Sequence, residues 1–191
     1  MKFARLVWGF TQFFLVAAAF TQTSTQPVTL AGLDLVTNAP GADTQFVKEA
    51  VQAQLCQRKT VDACVERLVV KAFQRRGYVR ASPKVRQITF ANPARLQDFT
   101  ATVNVEPGKV YRLAKIEVTH NTVLSAAELS ALPQPAQGKP LDAEEWENFV
   151  DAAENAYRRK GHSDFTFLPS MRLSDSQGTV VLSLDVIEEK H

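Results

Sequence analysis

The chain has 191 residues, 45% of them hydrophobic, with 22 Lys+Arg against 20 Asp+Glu and two cysteines. This is too apolar for a disordered chain and provides for one medium core or two small ones of fewer than about 100 residues each. Lys2 and Arg5 both lie in the first five residues, so without them 20 basic residues face 20 acidic ones. The remainder then lacks the net attraction on which non-specific nucleic-acid binding depends.

Those two cations precede an apolar run from Leu6 to Phe20 that closes on Ala17-Ala18-Ala19. Basic, apolar, small is the order of a secretory signal, read here as residues 1–19 with cleavage before Phe20. The run is shorter than the roughly 20 residues a spanning helix needs, so export is the reading and a retained anchor the alternative. Pro27 to Val36 carries Val28, Leu30, Leu33 and Leu35 as a first strand, interrupted around Gly32. After the loop at Asn38–Gly41, Asp43 or Thr44 can cap a helix with Phe46, Val47, Ala50, Val51 and Leu55 on one face. A turn at Gln57–Lys59 leads to Thr60 as the next cap. Val61, Cys64, Val65, Leu68, Val69, Ala72 and Phe73 then form an apolar stripe at helical period, ended by Gly77 with Arg75 and Arg76 in the last turn.

From Tyr78 to Phe90 the pattern is extended and punctuated by Pro83, with Arg80, Lys84 and Arg86 along it. A missing ladder donor and a row of cations predict a sheet edge. Phe99, Ala101, Val103 and Val105 alternate as a third strand, and Pro107-Gly108 then breaks the run before Ala114, Ile116 and Val118 alternate again. This joint is short and lacks the Asn-Gly or Asp-Gly chemistry of a tight hairpin, so it reads as one domain running almost directly into the next. The second half repeats the first. Ser125-Ala-Ala-Glu128 is a capping box opening a short helix stopped by Pro133, and Asp142 with Glu145 predicts a second box. Trp146, Phe149, Val150, Ala153 and Tyr157 form the stripe of a long helix ending at Gly161. Phe165, Phe167, Pro169, Met171 and Leu173 alternate in a proline-marked strand, and Val180, Leu182, Leu184 and Val186 alternate after a turn at Asp175–Gly178.

Phe73-Gln-Arg-Arg-Gly77-Tyr78 and Tyr157-Arg-Arg-Lys-Gly161-His162 share an aromatic, a basic pair and a glycine, 84 residues apart (77 to 161). Such self-similarity predicts tandem domains, 27–108 and 109–189. The fold class is α+β: two β-α-α-β-β units, each a three-stranded mixed sheet with two helices on one face. Strands one and three should be parallel and the last two antiparallel.

The order of Val103, Val105, Glu106 and Gly108, then Tyr111, Leu113, Ile116, Val118 and Asn121, then Gly138, Leu141, Tyr157 and Gly161 resembles the POTRA (polypeptide-transport-associated) domain. The resemblance covers residues 27 to 189 as two repeats. His120 departs from it where the family usually has glycine, His162 where it has tyrosine, and Glu188-Glu189 where it has Glu-Gly. It implies an exported, periplasmic, non-enzymatic protein-binding module, possessing no cofactor, that docks partner proteins or nascent outer-membrane polypeptides by strand addition at sheet edges. The partner would be an outer-membrane or secreted polypeptide or a barrel-containing assembly protein, with no nucleic acid or small-molecule substrate. The alternative is a membrane-tethered scaffold of the division or secretion machinery, which differs only if residues 6–20 stay attached. No set of eight amphipathic strands is present, so no barrel is expected.

Candidate chemistry is sparse. His120, His162 and His191 lack spacing partners for a metal or a triad, and Glu144, Glu145, Glu147, Asp151 and Glu154 read as a solvated helix face. Cys56 and Cys64, at the end of one helix and the start of the next, are expected to pair in an oxidising compartment, with two reduced core cysteines as the alternative. The partner-binding candidates are therefore the edge strands, through Arg80, Lys84 and Arg86 in the first unit and Phe165, Phe167 and Met171 in the second.

Overall fold

The computed structural model describes residues 27–92 and 97–188; the signal segment and His191 lie outside the described residues. Two separate sheets carry the described chain. The first is built from β1 (Pro27–Val36), β2 (Leu55–Gln57), β3 (Ser82–Phe90) and β4 (Asp98–Glu106), in the order β2-β1-β4-β3. β1 runs parallel to β4 and β3 antiparallel to it. Period-two alternation puts Val28, Leu30, Leu33, Phe99, Ala101, Val103 and Val105 on one face, and all are buried. Against that face lie α1 (Gly41–Val51) and α2 (Val61–Gln74), whose stripe of Val61, Cys64, Val65, Val69, Ala72 and Phe73 is buried as its period requires. Phe73 is completely enclosed, and truncating such a ring to alanine typically costs about 3 to 5 kcal/mol.

The second sheet is β5 (Arg112–Thr119), β6 (Phe165–Ser174) and β7 (Thr179–Glu188), in the order β5-β7-β6, with β5 parallel and β6 antiparallel to β7. It is covered by α4 (Ala143–Arg159), while α3 (Ala126–Ser130) is a single short turn held by the full capping box at Ser125 and Glu128. Lys160, ahead of the Ser125 bonds, holds the Glu128 carboxyl down to about 2. The two sheets repeat each other to the bulge. Leu30↔Phe99, Leu33↔Ala101 and Leu35↔Val103 in the first correspond to Leu113↔Val180, Ile116↔Leu182 and Val118↔Leu184 in the second, each with one register shift after its first pair.

Four local expectations change. α1 starts at Gly41 on Pro40 rather than at Asp43 or Thr44, because Asp43 accepts from Arg76 and from the Tyr78 hydroxyl and is not free to cap. That carboxylate and burial, burial foremost, push the Tyr78 phenol up to about 12. Leu55 and Cys56 leave the helix and form β2, a fourth strand on the first sheet, because Val28↔Cys56 pairing satisfies backbone that a longer α1 would carry away from β1. Asp142 caps the N–H of Glu144 without a reciprocal box from Glu145. The extended segment at 78–81 is a turn, and β3 begins only at Ser82.

That turn is part of the joint between the sheets. Gly77 ends α2 at φ +87°, and its carbonyl accepts the Tyr111 N–H at 2.9 Å. A Cβ on Gly77 would lie 3.0 Å from the Tyr111 carbonyl oxygen and 3.1 Å from Pro140, so glycine is required by both conformation and space. Arg75 Nε reaches Glu144 at 2.8 Å, Arg80 Nη1 reaches Asp175 at 3.0 Å, and the Tyr111 hydroxyl donates to the other Asp175 oxygen. The Tyr111 bond, then Arg80 and Lys109, hold Asp175 below its ordinary value of 3.8, while Asp175 raises the Tyr111 phenol. Because the Asp175 value is depressed in the joint, its contribution is complete above that ordinary value and disappears as pH falls through the lowered one. The raised Tyr111 value acts in the opposite sense, with its contribution complete below the ordinary phenol value of 10.0 and lost as pH rises through the raised one. Dipolar couplings between the two sheets should therefore hold constant across neutral pH and decay first in acid. Asp175→Asn should remove that acid limb, and an unchanged limb in the variant would assign it to another group.

Cys56 and Cys64 are joined, closing a loop between β2 and α2 with a sequence separation of 8. Loop-closure arithmetic gives about 2.5 kcal/mol for a loop this short. Urea unfolding with and without a thiol reductant should show a loss of about 2 to 3 kcal/mol in the first sheet's transition, and C56A/C64A should behave as the reduced protein does.

Candidate binding edges

β3, which carries Pro83, and β6, which carries Pro169, each stand at one end of their sheet and are both edges. What an incoming strand could use is the row of backbone groups facing away from the sheet. In β3 that row is identified directly, because the outward N–H of Val85 donates to Glu66 Oε1 of α2 at 3.0 Å. Val85 stands opposite Val103 as Pro169 stands opposite Leu184, at the same place in the two repeated ladders. The β6–β7 ladder is unbroken over ten pairs, so every second residue of β6 from Phe165 to Leu173 turns its backbone outward with Pro169.

The two edges differ in how far they are closed. In β3, Pro83 lacks a donor, the Val85 donor is occupied by Glu66, and Lys84 Nζ lies 3.6 Å from the same carboxylate. Arg86 then falls in a bulge between Val85 and Gln87, which stops regular pairing and twists the strand away. In α4 the residue 84 places on from Glu66 is Val150, so the carboxylate is replaced by a partly buried apolar side chain. Pro169 is the single missing donor in the outward row of β6, which is otherwise a regular ten-residue strand.

Beside that strand lies an apolar groove lined by Val79, Leu141, Trp146, Pro169 and Met171, with Glu147 at its rim. Trp146 is buried and stacks on Phe149 at 5.5 Å, which fixes the groove floor. Met171 is 43% exposed and forms one wall. Phe165 and Phe167 are half-buried under α4. Their rings lie 4.9 and 5.1 Å from that of Tyr157, so they are packing residues whose backbone, rather than whose rings, faces the open edge. The outer face of the same sheet leaves Leu168 and Ile187 about half exposed.

The sequence-predicted residues thus separate. Lys84 and Arg86 lie on the β3 edge, and Phe165, Phe167 and Met171 on β6. Arg80 does not belong to an edge: it precedes β3, bonds to Asp175 and lies 5.9 Å over the Tyr111 ring, as a joint residue. Glu66, Val150 and the Trp146 groove were not anticipated, although the Glu-to-Val difference at the 84-residue repeat was readable from the sequence. Among the described residues no group of three or more His, Cys, Asp or Glu could hold a metal ion. His120 is exposed and bonds to Asp185, and no described helix is long and apolar enough to cross a membrane.

Residues 111–188 match the family model for the POTRA domain, ShlB-type. Among solved structures, BamA from Haemophilus ducreyi lacking POTRA domains 1-3 is similar over 84% of this chain and 29% of that one, at 16% identity and a TM-score of 0.56. The Haemophilus influenzae BamA POTRA3-5 structure is similar over 84% of this chain and 61% of its own, at 19% identity and a TM-score of 0.51. The chain therefore spans less than two thirds of either structure, and at these identities the likeness is one of fold. No curated protein matches the chain in sequence. The family match covers the second sheet and its helices, residues 111–188, and the first sheet repeats their ladder, bulge and helix end.

Proposed function

We propose that this chain is a non-enzymatic periplasmic protein-binding module of two POTRA domains, 27–108 and 109–189, that docks partner or nascent outer-membrane polypeptides by strand addition, and that β6 is the edge it uses. The observation that supports this most directly is the contrast between the edges. Glu66, Pro83 and the Arg86 bulge occupy or distort β3, whereas β6 offers ten regular residues beside an apolar groove. Backbone pairing would give affinity without regard to sequence, and the groove would select an apolar side chain opposite Pro169 and Met171. The periplasmic setting rests on the signal segment and the disulfide, and the partner class on the family.

An extended peptide alternating leucine with threonine and lysine serves as the probe. Its binding should protect amides of residues 165–174 from hydrogen exchange and perturb Trp146 fluorescence, leaving 82–90 unprotected. Met171→Glu should weaken it about tenfold, or about 1.4 kcal/mol, by placing a charge on the wall of the groove. Protection of 82–90 in place of 165–174 would overturn the assignment of the edge, and no protection on either strand would overturn strand addition.

A further inference from the structure

The groove beside β6 has a charged rim as well as an apolar floor. Among the described residues that line it, Glu147 is the one ionisable group; Gln74 and Ser170 are polar and the others apolar. Glu147 is exposed and pairs with no described cation. The cations nearby are engaged elsewhere or stand off. Arg75 is held by Asp142 and Glu144, at 3.8 and 2.8 Å. Arg172, next to Met171, lies on the outer face of the sheet, 3.7 Å from Glu117. Lys71 shares the neighbouring hollow with Glu147 but lies beyond ion-pair distance of it. Glu145 and Asp151, both exposed, extend the negative sign along α4. The repeat shows that this sign is not imposed by the fold. The positions 84 places before Glu147 and Asp151 are Ala63 and Arg67, on α2, whose Glu66 closes the β3 edge. The acidic rim thus accompanies the open edge.

Given strand addition at β6, on which this rests, we infer that the edge selects extended segments carrying Lys or Arg two residues from an apolar one. The apolar side chain fills the groove over Trp146, and the cation pairs with Glu147 at the rim. Pro169 and Met171 pair with Leu184 and Leu182, which are buried, so they stand on the helix-covered face of the sheet, and the side chains of an added strand on that face enter the groove. Two residues apart on one face means about 7 Å, within reach of a lysine or arginine stem. An aspartate or glutamate at that place would meet Glu147 with no cation to offset it. The rim is open to water, so the pair adds little affinity and acts mainly by discriminating between segments of opposite sign.

The test uses threonine-rich peptides with a central leucine, identical except for lysine, glutamine or glutamate at both places two residues from it, so that either strand direction presents the same charge. Titrated into the full chain, the lysine peptide should bind about fivefold more tightly than the glutamate peptide, with glutamine between them. The gap should close in high salt. Glu147→Gln should equalise the three and Glu147→Lys should reverse their order, whereas Glu145→Gln, outside the groove, should leave the order intact. Equal affinities in the unmutated chain, with residues 165–174 protected from hydrogen exchange, would overturn the selectivity and leave strand addition standing. A preference that survives Glu147→Lys, or is lost in Glu145→Gln, would overturn the assignment to Glu147. Absence of protection by all three peptides would overturn strand addition at β6 and the selectivity with it.

Discussion

A carbonyl at the end of α2 must be satisfied, and the way this is done decides where everything after it lies. Helix ends leave their last acceptors without intrahelical partners. Gly77 turns the chain into the left-handed region and offers its own carbonyl to the Tyr111 N–H, so the first backbone bond of the second unit is made to the end of the first. With no Cβ at Gly77, Val110, Tyr111 and Pro140 can close to van der Waals distance. Val110 then packs on the first core and Val79 on the second, so each core receives a residue from beyond its own sheet. The polar bonds of Arg75, Arg80, Tyr111 and Asp175 surround this seat and add direction to it.

Fixing that seat also forms the groove. One wall is Val79, from the turn that follows Gly77; the floor is Leu141 and Trp146, beside the first turn of α4; the other wall is Pro169 and Met171 of β6. None of these elements makes a groove alone. The apolar cleft beside the open edge is thus a product of the joint, and a looser joint would enlarge or erase it without altering either core. This links the pairing of Asp175, which directly follows β6, with Tyr111 to the shape of the groove beside that strand.

Much of this was legible from periodicity. Alternation placed all six long strands, helical stripes placed α2 and α4, and the glycine-terminated helices betrayed the repeat. The misplaced pieces share a cause. Asp43, Cys56 and Arg80 each carry a local signal for capping, helix or edge, and each is claimed by a partner distant in sequence: Arg76 and Tyr78, Val28, and Asp175. Local propensity is worth a fraction of a kcal/mol to about one, and a tertiary bond or ladder pair of similar size reverses it. Charges and caps near the joint were therefore the poorest guides, whereas apolar period, which sums over many residues, was the best.

The repeat also shows how two copies of one fold come to differ in use. Duplicated sheets begin with equal edges, and an open edge on each would invite pairing between molecules. A carboxylate at position 66 removes that liability from the first copy by accepting the Val85 donor, and the bulge at Arg86 completes the closure. At position 150 a carboxylate would find no such donor, because the counterpart of Val85 in the second ladder is Pro169. Val150 and Pro169 are thus mutually consistent, as are Glu66 and Val85. The difference between the two edges is encoded in two residue pairs and leaves the folds themselves unchanged.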